Sequence, residues 1–185
     1  MRRIGRSSRG TRASGDASSM TALSDDANAA REAALKLLER TRRTRTDLER
    51  RLRDRGFAAA TVAEVLDRLA GVGLVDDAEF ARAFLSGRWG RRPSGWRRLV
   101  QELRARGVSP DDIARGRALL EQQVGAVDEI ASARRVIAQA ERRYRGLEPR
   151  ARRHRLYGLL ARRGYDSDTI EAALETPSAE DDERS

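Results

Sequence analysis

The chain has 185 residues, of which 39% are hydrophobic and only 4% aromatic, so its core is expected to consist of thin layers of Leu, Ala and Val. It has no cysteine and one histidine, His154, which excludes disulfides, thiol chemistry and metal sites built from Cys or several His. A net charge of +9 and a pI of about 11.1 favour a polyanionic partner. Lys36 is the only lysine, and an Arg- and Ala-rich composition also arises from a GC-rich genome.

The two ends of the chain are polar and lack a hydrophobic pattern. Residues 1–24 are predicted to form a disordered basic arm, and residues 176–185 a disordered acidic tail. The start, MRRIGRSSRG, has no apolar segment of a secretory signal, and no apolar run reaches the roughly 18 residues of a membrane helix. We therefore expect a cytoplasmic protein that does not contact a membrane.

Between these ends, apolar residues recur at three- and four-residue steps, and the pattern predicts nine helices and no strand. Asp25 and Asp26 are candidate N-caps of the first helix. Thr46 and Glu49 have the spacing of a capping box at the start of the second helix.

Later helices also carry recognisable starts. Asp76 is the predicted cap of the fourth helix. The sixth is expected to begin with Ser109 as its cap and Pro110 in its first turn, where the missing N–H costs nothing. Asp166 or Ser167 is the expected cap of the ninth helix.

One short pattern, centred on Gly56, Gly107 and Gly164, occurs three times. Apolar residues stand eight and four residues before each glycine and one and six after it: Leu48, Leu52, Phe57 and Val62; Leu99, Leu103, Val108 and Ile113; Leu156, Leu160, Tyr165 and Ile170. The leucines lie along one helix stripe, the left-handed glycine ends the helix, and the next helix folds back. The pattern predicts an all-α fold of three tandem three-helix repeats, residues 25–70, 71–122 and 123–175, in an elongated, curved array.

Catalysis has little support in the sequence. Asp76 and Asp77 are paired carboxylates, but their position indicates a helix N-terminus rather than a metal site. His154 lies among arginines without a Ser or Cys partner. The segment GRSSRGTR from Gly5 has the glycine spacing of a phosphate-binding loop but carries Thr where Lys is required. We expect no enzyme activity and no metal.

Arginines concentrate in two segments, residues 87–106 and 140–163. The first also holds both tryptophans, which suit stacking on bases, anchoring of an interface or the filling of a helix junction. The second has nine arginines against two glutamates, and a solvated face is the alternative interpretation. The predicted contacts with a filament or nucleic acid are Arg88, Trp89, Arg91, Arg92, Trp96, Arg97, Arg98, Arg152 and Arg153. The arginine before each repeated glycine is interpreted instead as a cation at a helix C-terminus.

Several of these segments together resemble the RecX family of bacterial regulators of the RecA recombinase. The resemblance rests on GLVDDAEFARAFLSGR from Gly73 and GWRRLVQELRARGV from Gly95, with AALKLLERTRRTRTDLERRLRDRGF before them and LLARRGYDSDTIEAAL after them. It covers residues 27–175, while the long arginine-rich arm and the acidic tail depart from the family pattern. It implies three tandem three-helix repeats in a curved, extended molecule, without enzyme activity and without a cofactor. We also expect a monomer. Such a protein would bind the RecA filament on single-stranded DNA and inhibit its ATP hydrolysis and strand exchange.

Two other functions remain open from the residues alone. One is a helical DNA-binding protein without sequence preference, since the helices after Gly56 and Gly164 carry Ala and acidic residues where a base-reading helix carries Asn, Gln, Ser and Arg. The other is a protein-interaction scaffold whose charge reflects genome composition. Steep weakening of binding with salt distinguishes phosphate contacts from a pure protein interface.

Overall fold

The computed structural model describes residues 13–91 and 93–175, with side chains described from 25 to 88 and from 93 to 175. Within these residues the protein is all-helical, and no strand is present. The helices are α1 (Ala13–Arg40), α2 (Arg45–Arg53), α3 (Ala59–Gly71), α4 (Asp77–Arg91), α5 (Trp96–Arg104), α6 (Pro110–Val124), α7 (Glu129–Tyr144), α8 (Pro149–Arg162) and α9 (Ser167–Glu175). The all-α prediction is confirmed, and none of the described helices is long and apolar enough to cross a membrane.

The chain divides into two compact units. The first runs to Arg43 and then from Asp47 to Val75, and the second comprises Thr44–Thr46 and the chain from Asp76 onward. In the first unit α1 packs on α3, and its core is formed by the following buried residues of α1, α2, α3 and the segment after α3: Ala30, Ala34, Leu37, Leu48, Leu52, Val62, Val65, Leu66, Leu69 and Val75.

The second unit contains two hydrophobic clusters. In the first, α4 and α5 pack against α6, and the buried residues are Ala81, Leu85, Leu99, Leu103, Val108, Ile113 and Leu120. In the second, α7, α8 and α9 pack on one another around Ala133, Val136, Leu160, Tyr165, Ile170 and Ala173. Each cluster is small and aliphatic, as the low aromatic content indicates.

The repeated glycine pattern forms the same turn each time. Gly56, Gly107 and Gly164 have φ values of 92°, 80° and 87°, the left-handed region predicted for them. The residue after each glycine donates its N–H to the carbonyl of the leucine that stands four residues before that glycine, at 3.3, 3.2 and 3.3 Å. This is the Schellman ending of a helix. All twelve repeated apolar side chains are buried except Phe57, which is half-buried.

Three of the predicted helix caps are confirmed. The carboxylate of Asp76 accepts the Glu79 N–H at 2.9 Å, and that of Asp166 accepts the Thr169 N–H at 2.8 Å. The Ser109 hydroxyl accepts the Asp112 N–H at 3.1 Å, with Pro110 at the first helical position. Local side-chain chemistry therefore defines where these helices begin.

The capping box at Thr46 is wrong, because α2 already begins at Arg45. The Thr46 hydroxyl instead donates to the Gly107 carbonyl at 3.3 Å, a bond within the second unit. Gly107 is 61 residues away in sequence, so a motif defined by neighbouring residues cannot predict that its carbonyl binds the Thr46 hydroxyl.

The first helix is longer than expected. It begins at Ala13, so Asp25 and Asp26 lie inside it and do not cap it, and residues 13–24 are helical where a disordered arm was predicted. Extending a formed helix adds one hydrogen bond for each residue fixed, and this segment contains no proline. The rest of the predicted arm, residues 1–12, and the acidic tail, residues 176–185, lie outside the described residues.

Candidate functional site

A groove of about 580 Å³ lies in the second unit between α5 and the end of α8. Its lining comprises Arg97, Arg98, Gln101, Glu102, Ala105, Ala161, Arg162, Gly164 and Tyr165. Two of the predicted contact residues, Arg97 and Arg98, therefore lie in one concave site, together with Arg162, which was not predicted from the sequence. We call this site the α5–α8 groove.

Two glycines allow the backbones on either side of the groove to approach closely. The Gly95 N–H donates to the Arg163 carbonyl at 2.9 Å. A Cβ on Gly95 would lie 2.2 Å from the Gly164 backbone, and a Cβ on Gly164 would lie 2.4 Å from the Cβ of Arg98. Any larger residue at either position would push α5 and the end of α8 apart, so the groove depends on glycine at both.

Charge compensation differs among the arginines near the groove. Glu102 forms ion pairs with both Arg98 and Arg88, each at 3.1 Å. Arg97 and Arg162 are exposed, and neither takes part in an ion pair with the residues whose side chains are described. The positive charge available to a ligand is therefore concentrated on these two guanidinium groups.

Arg97 also interacts electrostatically with Asp166. The N–H and hydroxyl of Thr169, helped by the charge of Arg97, lower the pKa of this carboxyl group. Asp166 is committed to capping α9 through Thr169, so it moderates the positive charge of Arg97 without occupying the groove.

The repeated arginines contact backbone carbonyls, as expected of structural residues. Arg106 donates to the Glu102 carbonyl in the last turn of its own helix at 2.5 Å. Arg55 and Arg163 donate instead to the carbonyls of Ala33 and Pro93, each at 3.4 Å. All three arginines lie at the C-terminal ends of their helices, and only Arg106 also donates to a carbonyl of the helix that it follows.

The ring of Phe84 lies beside the guanidinium groups of Arg106 and Arg88. The guanidinium carbons of Arg106 and Arg88 lie 4.8 and 5.4 Å from the centre of its half-buried ring. Arg88 therefore has two partners, Glu102 and the ring, that hold it against the protein.

Trp96 is half-buried and packs against the first cluster of the second unit. The guanidinium of Arg117 lies 4.6 Å from the centre of its ring system. This arrangement fits the filling of a helix junction, the alternative weighed for both tryptophans. The side chains of Trp89 and Arg91, and all of Arg92, lie outside the described residues.

The second arginine segment surrounds the junction between α7 and α8. Arg152 forms an ion pair with Glu141 at 2.5 Å, and Glu148 caps α8 by accepting the Ala151 N–H at 3.1 Å. Arg153 is exposed and donates to the Leu174 carbonyl at 3.5 Å. The other exposed arginines of this segment, before the end of α8, are Arg142, Arg143, Arg145, Arg150 and Arg155.

The paired carboxylates of Asp76 and Asp77 have structural partners. Asp77 accepts the Arg45 N–H at 2.9 Å, and burial, the largest influence, raises the pKa of its carboxyl group. Across the described part of the chain, no group of three or more His, Cys, Asp or Glu could hold a metal ion. The exposed His154 belongs to no such group.

Comparison with known proteins identifies the family. Three family models match in order along the chain: the first three-helix domain of RecX at residues 30–69, the second at 76–116 and the third at 128–174. The chain belongs to the RecX family. It therefore has a regulatory role of the RecX type, and the resemblance stated from its motifs is confirmed.

Individual relatives agree with this assignment. The protein named Regulatory protein RecX from Thermobifida fusca is 41% identical over 138 residues, which is 75% of this chain and 72% of the relative. The protein of the same name from Mycobacterium marinum is 40% identical over 158 residues, covering 84% of this chain and 88% of the relative.

Two solved structures share the fold. The crystal structure of RecX from Lactobacillus salivarius superposes with a TM-score of 0.74 at 18% identity, covering 82% of this chain and 96% of the other. A second crystal structure, of regulatory protein RecX, gives a TM-score of 0.77 at 22% identity, covering 91% of this chain and 83% of the other.

Proposed function

We propose that this protein binds the RecA filament formed on single-stranded DNA and inhibits its ATP hydrolysis and strand exchange, thereby modulating DNA repair and recombination. The observation that carries the proposal is the match of all three RecX domains along one chain. Charge supports it independently, because a net charge of +9 favours a polyanionic target.

The α5–α8 groove is the proposed contact site. Arginine binds carboxylate and phosphate groups through paired N–H donors, so it suits a target that presents both protein and DNA. Arg97 and Arg162 have this capacity available, whereas Arg98 and Arg88 share Glu102. The remaining predicted contacts, Trp89, Arg91, Arg92, Trp96, Arg152 and Arg153, stay predictions for the same interface.

A titration of RecA ATP hydrolysis on single-stranded DNA tests the proposal. Adding the purified chain to preformed filaments should lower ATP turnover in a saturable manner, and strand exchange should fall with it. Unchanged turnover at concentrations that saturate filament binding would contradict the proposed inhibition.

A DNA-binding protein without sequence preference is the second candidate. The exposed arginines around the α7–α8 junction favour it, because they resemble the charge pattern of a phosphate-binding surface. Tight binding to bare DNA, combined with no effect on RecA beyond competition for DNA, would favour this candidate. Binding to RecA in the absence of DNA, with weak dependence on salt, would indicate a protein-only interface.

We also infer that the protein acts as a monomer in the cytoplasm, without enzyme activity and without a cofactor. The paired carboxylates act at helix starts, and the two selected arginine segments suit binding rather than bond cleavage. Size-exclusion chromatography with light scattering tests the monomer, for which the sequence gives a mass of 20.6 kDa.

A further inference from the structure

The chain leaves its last helix beside an arginine-rich surface. α9 ends at Glu175, and the carbonyl of Leu174, one residue earlier, accepts a hydrogen bond from Arg153 of α8 at 3.5 Å. Arg153 is exposed and lies in the first half of α8. The described chain therefore ends beside Arg153, one turn into α8 from the α7–α8 junction.

The carboxylates within this junction already have partners. Glu141 is engaged by Arg152 at 2.5 Å, and Glu148 accepts the Ala151 N–H that begins α8. The exposed arginines from residue 142 to residue 153, which we call the junction arginines, are Arg142, Arg143, Arg145, Arg150 and Arg153. This surface has a local excess of positive charge that the two glutamates do not cancel.

The sequence after α9 carries the complementary charge. Residues 176–185 read TPSAEDDERS, with four consecutive carboxylates from Glu180 to Glu183 and one cation, Arg184. These carboxylates lie five to eight residues beyond Glu175, a reach of up to about 17–26 Å at roughly 3.3 Å per residue. Arg150 lies only about 5 Å along the helix axis from Arg153, since α-helices rise 1.5 Å per residue. The distances therefore allow the carboxylates to reach Arg153 and Arg150, the junction arginines of α8.

We propose that the acidic segment 176–185 docks on the junction arginines of its own chain and competes there with phosphate-bearing partners. The inference concerns regulation of an arginine surface and rests on the proposed function only in requiring that this surface binds a polyanion. Each exposed ion pair is weak, but a tethered segment has a high effective concentration at its target. The segment should therefore reduce polyanion affinity several-fold without abolishing binding.

Binding to a fluorescein-labelled oligo(dT) strand of 30 nucleotides tests whether the acidic segment competes with DNA. A chain ending at Glu175, and the full chain with Glu180→Gln, Asp181→Asn, Asp182→Asn and Glu183→Gln, should both bind about 3- to 10-fold more tightly than the original chain at 50 mM salt. The difference should shrink strongly at 300 mM salt, because both the docking and the DNA contacts are screened.

A matched control separates docking from a general effect of net charge. Neutralising four exposed carboxylates of the first unit, with Glu32→Gln, Glu39→Gln, Glu49→Gln and Asp54→Asn, changes the net charge by the same amount. This variant should bind oligo(dT) within twofold of the original chain. An equal gain in both four-carboxylate variants would overturn the inference.

Cross-linking tests the docking directly, without any DNA. Because Lys36 is the only lysine, Arg153→Lys adds one amine that a carbodiimide can join to a neighbouring carboxylate. Peptide mass spectrometry should find this new amine linked to residues 180–183 in protein of monomer mass. Linkage only in dimers, or no linkage, would overturn docking within one chain.

The two proposals fail separately. A chain that inhibits RecA ATP hydrolysis but shows neither the cross-link nor the tail-dependent affinity retains the proposed function and refutes the docked segment. A chain that shows the cross-link and the affinity gain but leaves RecA unaffected supports the docked segment and contradicts the proposed function.

Discussion

The backbone N–H of Trp96 donates a hydrogen bond of 2.5 Å to Oε1 of Glu129, 33 residues further along the chain. Trp96 is the first residue of α5, and its N-cap, Gly95, has no side chain to accept the free N–H groups of the first turn. Glu129, at the start of α7, supplies that acceptor from the neighbouring three-helix repeat. One carboxylate therefore both caps α5 and ties the second repeat to the third.

Removing this acceptor should weaken the second unit. Glu129→Ala leaves the Trp96 N–H without its partner and is expected to lower the free energy of unfolding by about 1–2 kcal/mol. Glu129→Gln keeps an acceptor oxygen and should retain at least the original stability at pH 7. Both tryptophans lie in the second unit, so tryptophan fluorescence during urea unfolding reports on it. Equal losses in the two variants would contradict the capping role.

The same carboxylate should make stability depend on pH. Burial is the main cause that raises the pKa of Glu129 above its usual 4.5. The folded state therefore binds a proton more tightly than the unfolded state, and stability falls as pH rises through the interval from 4.5 to the raised pKa. Urea unfolding at pH 5 and pH 7 should show a smaller pH difference for Glu129→Gln than for the original chain.

Gly164 should tolerate alanine much less well than Gly56. Both have positive φ, so alanine is strained by about 1 kcal/mol at either site. Only at Gly164 would the new Cβ also lie 2.4 Å from the Cβ of Arg98, whereas the space around Gly56 is open. We expect Gly164→Ala to lower the free energy of unfolding by about 3 kcal/mol or more, measured by tryptophan fluorescence during urea unfolding. Gly56→Ala should lower it by about 1 kcal/mol, measured by circular dichroism. Similar losses would show that close packing at Gly164 is unimportant.

Asp47 should stabilise the first unit above acidic pH. Partial burial opposes its ionisation, but hydrogen bonds from Arg51, Arg43 and Arg50 outweigh this and lower its pKa from 3.8 to about 2. The stabilisation is present above pH 3.8 and is lost as pH falls through about 2. Asp47→Asn is expected to lower the free energy of unfolding by about 1 kcal/mol at pH 7. This value is small because solvent screens the partly exposed arginines.

Circular dichroism during urea unfolding checks this expectation at pH 7 and near pH 2. The loss caused by Asp47→Asn should nearly vanish at the lower pH. Glu49→Gln, an exposed change in the same helix, should stay within about 0.5 kcal/mol of the original chain. A deficit in Asp47→Asn that persists at low pH would point to packing rather than charge.

The Tyr165 hydroxyl forms a buried hydrogen bond of 2.8 Å with the hydroxyl of Ser132. Tyr165→Phe removes one partner and should cost about 1–2 kcal/mol, because the Ser132 hydroxyl is fully buried. Adding Ser132→Ala should recover part of that loss. A double-mutant cycle followed by tryptophan fluorescence measures this coupling, and strictly additive losses would contradict it.

The groove arginines should govern binding to the RecA filament. Replacing both Arg97 and Arg162 with Gln removes the two groove cations without ion pairs among the described side chains, and should raise the half-inhibitory concentration about tenfold or more. If both arginines contact phosphate, the slope of log affinity against log salt concentration should become less steep by about two units.

The double variant Arg68→Gln and Arg115→Gln is the matched control. It removes the same charge from side chains that are each 71% exposed and paired within their own helices. Its half-inhibitory concentration should stay within about twofold of the original chain. Equal effects in the two double variants would refute a specific role for the groove.

Short-range features of the fold follow from the sequence. The helix ends at Gly56, Gly107 and Gly164, and the caps at Asp76 and Ser109, depend on hydrogen bonds that span five residues or fewer. The repeated leucines are buried because their spacing places them on one helix face. These interactions recur wherever the local sequence recurs, so the three-repeat organisation can be predicted.

The site depends on interactions that the local pattern does not contain. Arg162 joins Arg97 in the groove, Glu129 caps the helix that begins at Trp96, and Thr46 bonds to Gly107 rather than capping α2. These partners are separated by about 30 to 65 residues in sequence, and packing of one repeat on another brings them together within the second unit.

By itself, the sequence determined the helical class, the three repeats and the family, because each rests on local spacing or on motifs read along the chain. Only the tertiary structure decided which arginines carry available charge. Arg88 and Arg98 both lie against Glu102, whereas Arg97 and Arg162 face the groove without such a partner among the described side chains. The physical reason is that compensation of a charge depends on distance in space, which a count of arginines along the chain does not contain.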